Sequence, residues 1–226
     1  LNNASFIIQW IILFNIRDEI GGYNIKQIVL LWGLASSVYG VANIIFGEAF
    51  EISDLIIRGK LDTFLVQPKN VFLSVLTSKT KISAIGDLIY GYICLAIYGF
   101  TIRNLALFTI FSITGALILT AFASIVGSFS FWIVKGDIIA DSLNNVMLHF
   151  DTYPGTIFKN GVKIILYTIL PVGIANYMPL DMIISFNVKN FLIVIVFTIL
   201  ISILAYTIFN RGLKRYGSSN LMSSRI

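Results

Sequence analysis

The chain has 226 residues, of which 57% are hydrophobic and only 12% charged, whereas a soluble domain carries about 25% charged residues. That balance excludes an ordinary soluble globule. The formal net charge of +5 comes with one cysteine and one histidine, which exclude a disulfide framework and a cysteine–histidine metal cluster within a single chain.

In chain order, six apolar runs read as membrane-crossing helices, at about residues 1–16, 28–46, 82–101, 105–134, 162–177 and 191–209. The run at 105–134 exceeds the roughly 18 residues that mark a membrane helix and is long enough to tilt. Because these runs are apolar on every side, they are not the strands of a β-barrel, which alternate polar and apolar over about ten residues. The predicted fold class is all-α: a polytopic membrane helix bundle of about six transmembrane helices, forming one transmembrane domain over residues 1–226. The first residue is Leu beside an apolar run, so a truncated N-terminus is expected.

Six crossings put both termini on one face. Lys and Arg favour the cytoplasm. Cytoplasmic termini then place twelve of the sixteen basic residues inside, among them Lys135, Lys159 and Lys163, and four outside: Arg17, Lys26, Arg103 and Lys189. The basic residues therefore read as topology signals rather than as a nucleic-acid surface, and no nucleic-acid partner is expected. The tail "RGLKRYGSSNLMSSRI" is basic and then Ser-rich, which suits anionic headgroups of membrane lipid.

The stretch "EISDLIIRGKLDTFLVQPKN", residues 51–70, holds six charges between two apolar runs. On a helix over 51–65, Glu51, Asp54, Arg58 and Asp62 share one face, and Phe50, Ile57, Leu61 and Phe64 form an apolar stripe. Asp54 and Arg58 are spaced to pair. Gly59 marks a bend, and Pro68 ends the element. Two readings fit this amphipathic pattern. One is a helix lying in the headgroup layer. The other is a cytoplasmic docking element that passes a partner's motion to the spans.

"IIRGKLDTFLVQP" resembles the signature between the second and third spans of the type-2 ABC exporter permeases, in the branch of small six-span subunits. Ile56, Arg58, Gly59, Leu61, Asp62, Leu65 and Pro68 match it, and Ile57 stands where the family has its first Arg. In order, "SFWIVKGD", "YPGTIF", "LPVGIANYMP" and "RGLKRYGSS" resemble the end of that family's fourth span, the approach to its fifth, its turn outside the membrane and its C-terminus. The resemblance covers essentially the whole chain. It implies a permease subunit of an ATP-driven exporter in the bacterial plasma membrane. It also implies a second permease subunit, identical or related, and a separate ATP-binding cassette subunit that binds ATP and Mg. The coupling helix that contacts the ATPase would then include Glu51, Asp54, Arg58, Gly59, Leu61, Asp62 and Pro68.

No Gly-x-x-x-x-Gly-Lys-Ser/Thr, His-Glu-x-x-His or Gly-x-Ser-x-Gly pattern occurs in the sequence, so no catalytic, cofactor or metal site is expected in this chain. His149 reads as structural. Asp87 is the one acid placed within a predicted span. It is either an intramembrane polar site or a group that pairs with Lys79 or Lys81 near the interface. Pro171 and Pro179 bracket "VGIANYM", either as a kink or as a re-entrant external gate. Lys135 and Asp137 flank Gly136 as a cap or a second ATPase contact. The small residues of "GLASSVYG" at 33–40 permit close helix packing and make it a candidate subunit interface. Trp10, Trp32 and Trp132 suit packing or interface anchoring. The alternative functions are an ATP-independent channel or ion-coupled carrier, which would need mid-membrane ionisable groups and inverted repeats, and a membrane enzyme built on Asp87 or His149. The predicted cavity walls are apolar.

Overall fold

The computed structural model describes residues 2–217, with side chains from residue 8 onward. Among the described residues the regular structure is helical. The order is α1 (Asn2–Phe14), α2 (Ile25–Phe46), α3 (Ile52–Ile57), α4 (Asp62–Leu65), α5 (Val71–Leu76), α6 (Ala84–Gly99), α7 (Ile102–Ser128), α8 (Gly136–Phe150), α9 (Asn160–Thr168), α10 (Met178–Ile184) and α11 (Val188–Leu213). Three of these, α2, α7 with its extension to Phe131, and α11, are long and apolar enough to cross a membrane alone. Among the described residues α6 is a shorter apolar helix.

The bundle has two ends. The base carries residues 47–81 together with the ends of α7 and α11, where Phe72 packs on Phe209 at 5.1 Å and Phe131 on Phe209 at 5.6 Å. The top carries the turn at 15–24. α7 runs through the centre, with Phe108, Phe111, Ile118 and Leu119 fully buried. α2 enters from the top through a reciprocal cap: Gln27 N–H donates to the Asn24 side chain at 3.0 Å, and Asn24 N–H donates to the Gln27 side chain at 2.9 Å.

α2 and α6 run antiparallel at close range. A Cβ on Gly91 would strike Ser37 and lie 2.5 Å from the Gly33 carbonyl, and one on Gly40 would lie 2.8 Å from the Leu88 nitrogen. Small residues let the two backbones approach. The 33–40 patch is therefore occupied by α6 of the same chain, which corrects its expected use between subunits.

The largest correction concerns the fifth crossing. α8 starts at the base, where Gly136 abuts Ser130. The chain that follows it reaches the top. There the Tyr153 ring meets Trp10 at 6.2 Å, and the Thr156 hydroxyl donates to the Gly21 carbonyl at 2.6 Å. Residues 136–153 therefore traverse the bundle, where a cytoplasmic loop was expected. Conversely, the run at 162–177 does not cross. After α9 the chain turns by 85° before continuing from Gly173 into α10. Asp181 on α10 is back at the top, accepting from the Tyr23 hydroxyl at 2.5 Å. Segment 160–184 is a re-entrant hairpin entered and left from the top.

Lys159 and Lys163 consequently lie at the top. Nine described basic residues sit at the base and six at the top, with Arg225 outside the described residues. The expected twelve to four becomes a smaller excess on the same side.

Candidate coupling site

The base segment is closed at its neck. Gly47 N–H donates to the Lys79 carbonyl at 3.1 Å and Lys81 N–H to the Asn43 carbonyl at 3.0 Å. Glu48 pairs with Lys79 at 3.8 Å and Glu51 with Lys81 at 3.7 Å, while Lys81 also lies over the Phe50 ring at 5.4 Å. Each of these partly exposed pairs contributes about 1 kcal/mol or less, but together they fix where the segment leaves and rejoins the bundle.

α3 packs inward. Ile52, Ser53, Leu55 and Ile56 are buried, with Ile52 against Gly127 of α7 at 3.0 Å from a Cβ built there. The helix then stops. Gly59 adopts φ +68°, its N–H donates to the Ile56 carbonyl at 3.2 Å, and Lys60 N–H reaches the Leu55 carbonyl at 2.9 Å. This pair of bonds is the Schellman cap, which favours glycine at the left-handed position. The continuous helix expected over 51–65 is thus two short helices set around a glycine turn.

The break redistributes the expected coupling residues. Asp54 holds both Arg58, as an i,i+4 ion pair, and Lys60 at 3.4 Å. Glu51 is drawn into the neck. Leu61 is 0% exposed and anchors the turn in the core, so it is no surface contact. Asp62 opens α4 beside Tyr216, and burial together with that carboxylate pushes the Tyr216 phenol up to about 12. Pro68 is exposed. α5 returns the chain to the bundle: Asn70 caps it by accepting from Leu73 N–H at 3.1 Å and donates to the Tyr206 hydroxyl at 3.1 Å.

What projects is the tip at 57–69. Ile57, Arg58, Lys60, Leu65 and Lys69 are exposed, and Val66 is 84% exposed. Sequence reasoning missed Lys60 and Val66. The available signal was Val66 itself, an apolar residue beyond the amphipathic stripe and directly before "QP".

Residues 1–220 match the family model described as ABC-2 family transporter protein. The chain belongs to the ABC-2 transporter family. No curated protein and no solved structure matches it. It is a multi-pass membrane component of an ABC transporter, of a family whose members are typically permeases without a catalytic domain and which implies an ATP-binding partner.

In this ABC-2 protein the other anticipated positions lie apart from the base segment. Asp87 occupies the first turn of α6, near the base, where the helix dipole favours a carboxylate; the Ser36 hydroxyl donates to its backbone carbonyl at 2.9 Å. Pro171 is at the vertex of the hairpin. Pro179 lies within α10 and does not close a turn. Between them Gly173–Tyr177 forms a π-helical turn, a local widening that accompanies irregular backbone hydrogen bonding. The vertex roofs an apolar cavity of about 380 Å³ lined by Phe122, Phe129, Leu143, Pro171, Phe197 and Leu204, in keeping with the apolar walls expected. Among the described residues no cluster of three or more His, Cys, Asp or Glu side chains is placed to hold a metal.

Proposed function

We propose that this ABC-2 family protein is the permease subunit of an ATP-driven exporter. Its base faces the cytoplasm, and a separate ATP-binding cassette subunit seats on the tip at 57–69. The observation that carries this reading is the form of the base segment in a chain of this family: a closed neck, an inward face packed on α7, and an exposed tip that mixes apolar and basic side chains. Such a segment moves as a unit when a partner pushes on it.

The packing supplies a route for that motion. α3 presses on α7 through Ile52 and Gly127 and bonds to the α7–α8 junction through Ser53 and Ser130. α8 carries the displacement to the top, where the Tyr177 hydroxyl of the hairpin donates to the Phe150 carbonyl at 2.6 Å. Closure of the ATP-bound partner thus tilts α8 and shifts the hairpin, opening the outer side. ATP and Mg stay with the partner, and a second permease subunit completes the assembly.

Polar residues along α8 favour one second reading, an ATP-independent channel or ion-coupled carrier. Proteoliposomes separate the two. With the ATP-binding subunit present, the exporter reading expects ATP-dependent transport. It also expects Arg58→Glu with Lys60→Glu to leave ATP hydrolysis running while transport stops. Transport by this chain alone, without nucleotide, would overturn the exporter reading.

A further inference from the structure

The apolar cavity of about 380 Å³ under the hairpin vertex opens sideways. Its inner wall is α7, where Phe122 and Val126 are buried. Its mouth is framed by Leu200 and Leu204 of α11 and by Ile169 at the end of α9, all exposed. The one polar side chain in the lining, Thr168, already donates its hydroxyl to the Ile164 carbonyl at 2.7 Å. A buried water needs about two to four polar partners, and this lining offers none. Left void, the same lining forfeits its contacts. A hydrocarbon occupant restores them.

α11 sets the depth. Leu204 and Leu200 stand seven and eleven residues before Arg211, which at about 100° per residue puts all three on one face. At about 1.5 Å per residue, Leu204 lies about 10 Å and Leu200 about 16 Å inward from Arg211. Half of the hydrocarbon core of a bilayer is about 15 Å. The cavity is therefore as deep as one acyl chain of the base-side leaflet, with Pro171 as its ceiling.

The base end supplies the charge. Arg211 is exposed in the last turn of α11, and Lys135 at the α7–α8 junction is exposed at the same end. A cation in the last turn also suits the helix dipole, so Arg211 alone assigns nothing. Its register with the cavity does, because a guanidinium pairs with phosphate and here stands at headgroup level above a chain-deep hole.

We propose that the cavity holds one acyl chain of an anionic phospholipid whose phosphate pairs with Arg211. The chain lies between α7 and α11 and carries the hairpin vertex on its end. This site is separate from the tip at 57–69 and does not depend on the permease reading.

Native mass spectrometry of the full chain, purified in detergent and stripped of lipid, tests it. The probes are phosphatidylglycerol and phosphatidylcholine of equal chain length. One phosphatidylglycerol per chain should bind, about tenfold more tightly than phosphatidylcholine. Arg211→Gln should abolish most of that preference, and Arg211→Lys should keep most of it. Leu204→Trp, which fills the mouth, should lower occupancy by both lipids several-fold. Ile203→Trp, exposed on another face of α11, should not, and melting of each variant reports folding. Photo-cross-linking of the parent by phosphatidylglycerol with a mid-chain diazirine needs no substitution, and its label should fall within residues 122–129 and 197–204. Equal binding of the two lipids, or a preference unchanged in Arg211→Gln, would overturn the anionic headgroup. Occupancy unchanged in Leu204→Trp, or label confined to other faces such as Ile89 and Ile93 of α6, would overturn the chain site. A dimer that excludes lipid and is dissociated by Leu204→Trp would assign the cavity to a second copy and overturn the proposal.

Discussion

Ser53 and Ser130 share a hydrogen bond at 2.5 Å. The first is on α3 of the base segment and the second is in the turn that joins α7 to α8, so the pair links the candidate docking element to the polar crossing helix. Ser53→Ala and Ser130→Ala should each lower stability by about 1 kcal/mol. The double variant should lose less than the sum, because the bond is removed only once. Thermal unfolding of the detergent-purified protein in a double-mutant cycle measures the difference.

The α2–α6 contact gives a sharper steric test. Gly91→Ala should destabilise by about 1–3 kcal/mol, since its Cβ meets Ser37 and the Gly33 carbonyl. Gly86→Ala on the same helix meets nothing within 4 Å and should be neutral or slightly stabilising, as alanine is the better helix former. Unfolding midpoints of the two variants should separate in opposite directions from the parent.

Hydropathy was enough to find α2, α7 and α11, because each is apolar around its circumference. It misses α8 because averaging over a window dilutes the apolar residues with Asp137, Asp141, Asn144, Asn145 and His149. It misassigns 162–177 because a re-entrant arm is as apolar as a crossing one, with Ile164, Ile165 and Ile169 exposed on and just after α9 and Val172, Ile174 and Ala175 buried beyond the turn; only the return of Asp181 to Tyr23 distinguishes them. In the base segment, periodicity gave the helical character and Gly59 the bend, but not how sharply the Schellman cap turns the chain. That turn moves Leu61 into the core and Val66 into the open.

Leu61 and Val66 accordingly behave as opposites. Leu61→Ala should cost about 2–5 kcal/mol by leaving a cavity under the turn. Val66→Ala should leave the melting temperature unchanged within error and weaken binding of the ATP-binding subunit. Unfolding curves and a pull-down with that subunit check both halves.

The account depends most on the tip lying inside the cell, beneath its partner. In the Cys94→Ala chain, Val66→Cys should resist a membrane-impermeant maleimide in intact cells. It should react once the cells are permeabilised and become protected when the ATP-binding subunit is bound. Labelling of Val66→Cys in intact cells would contradict the account.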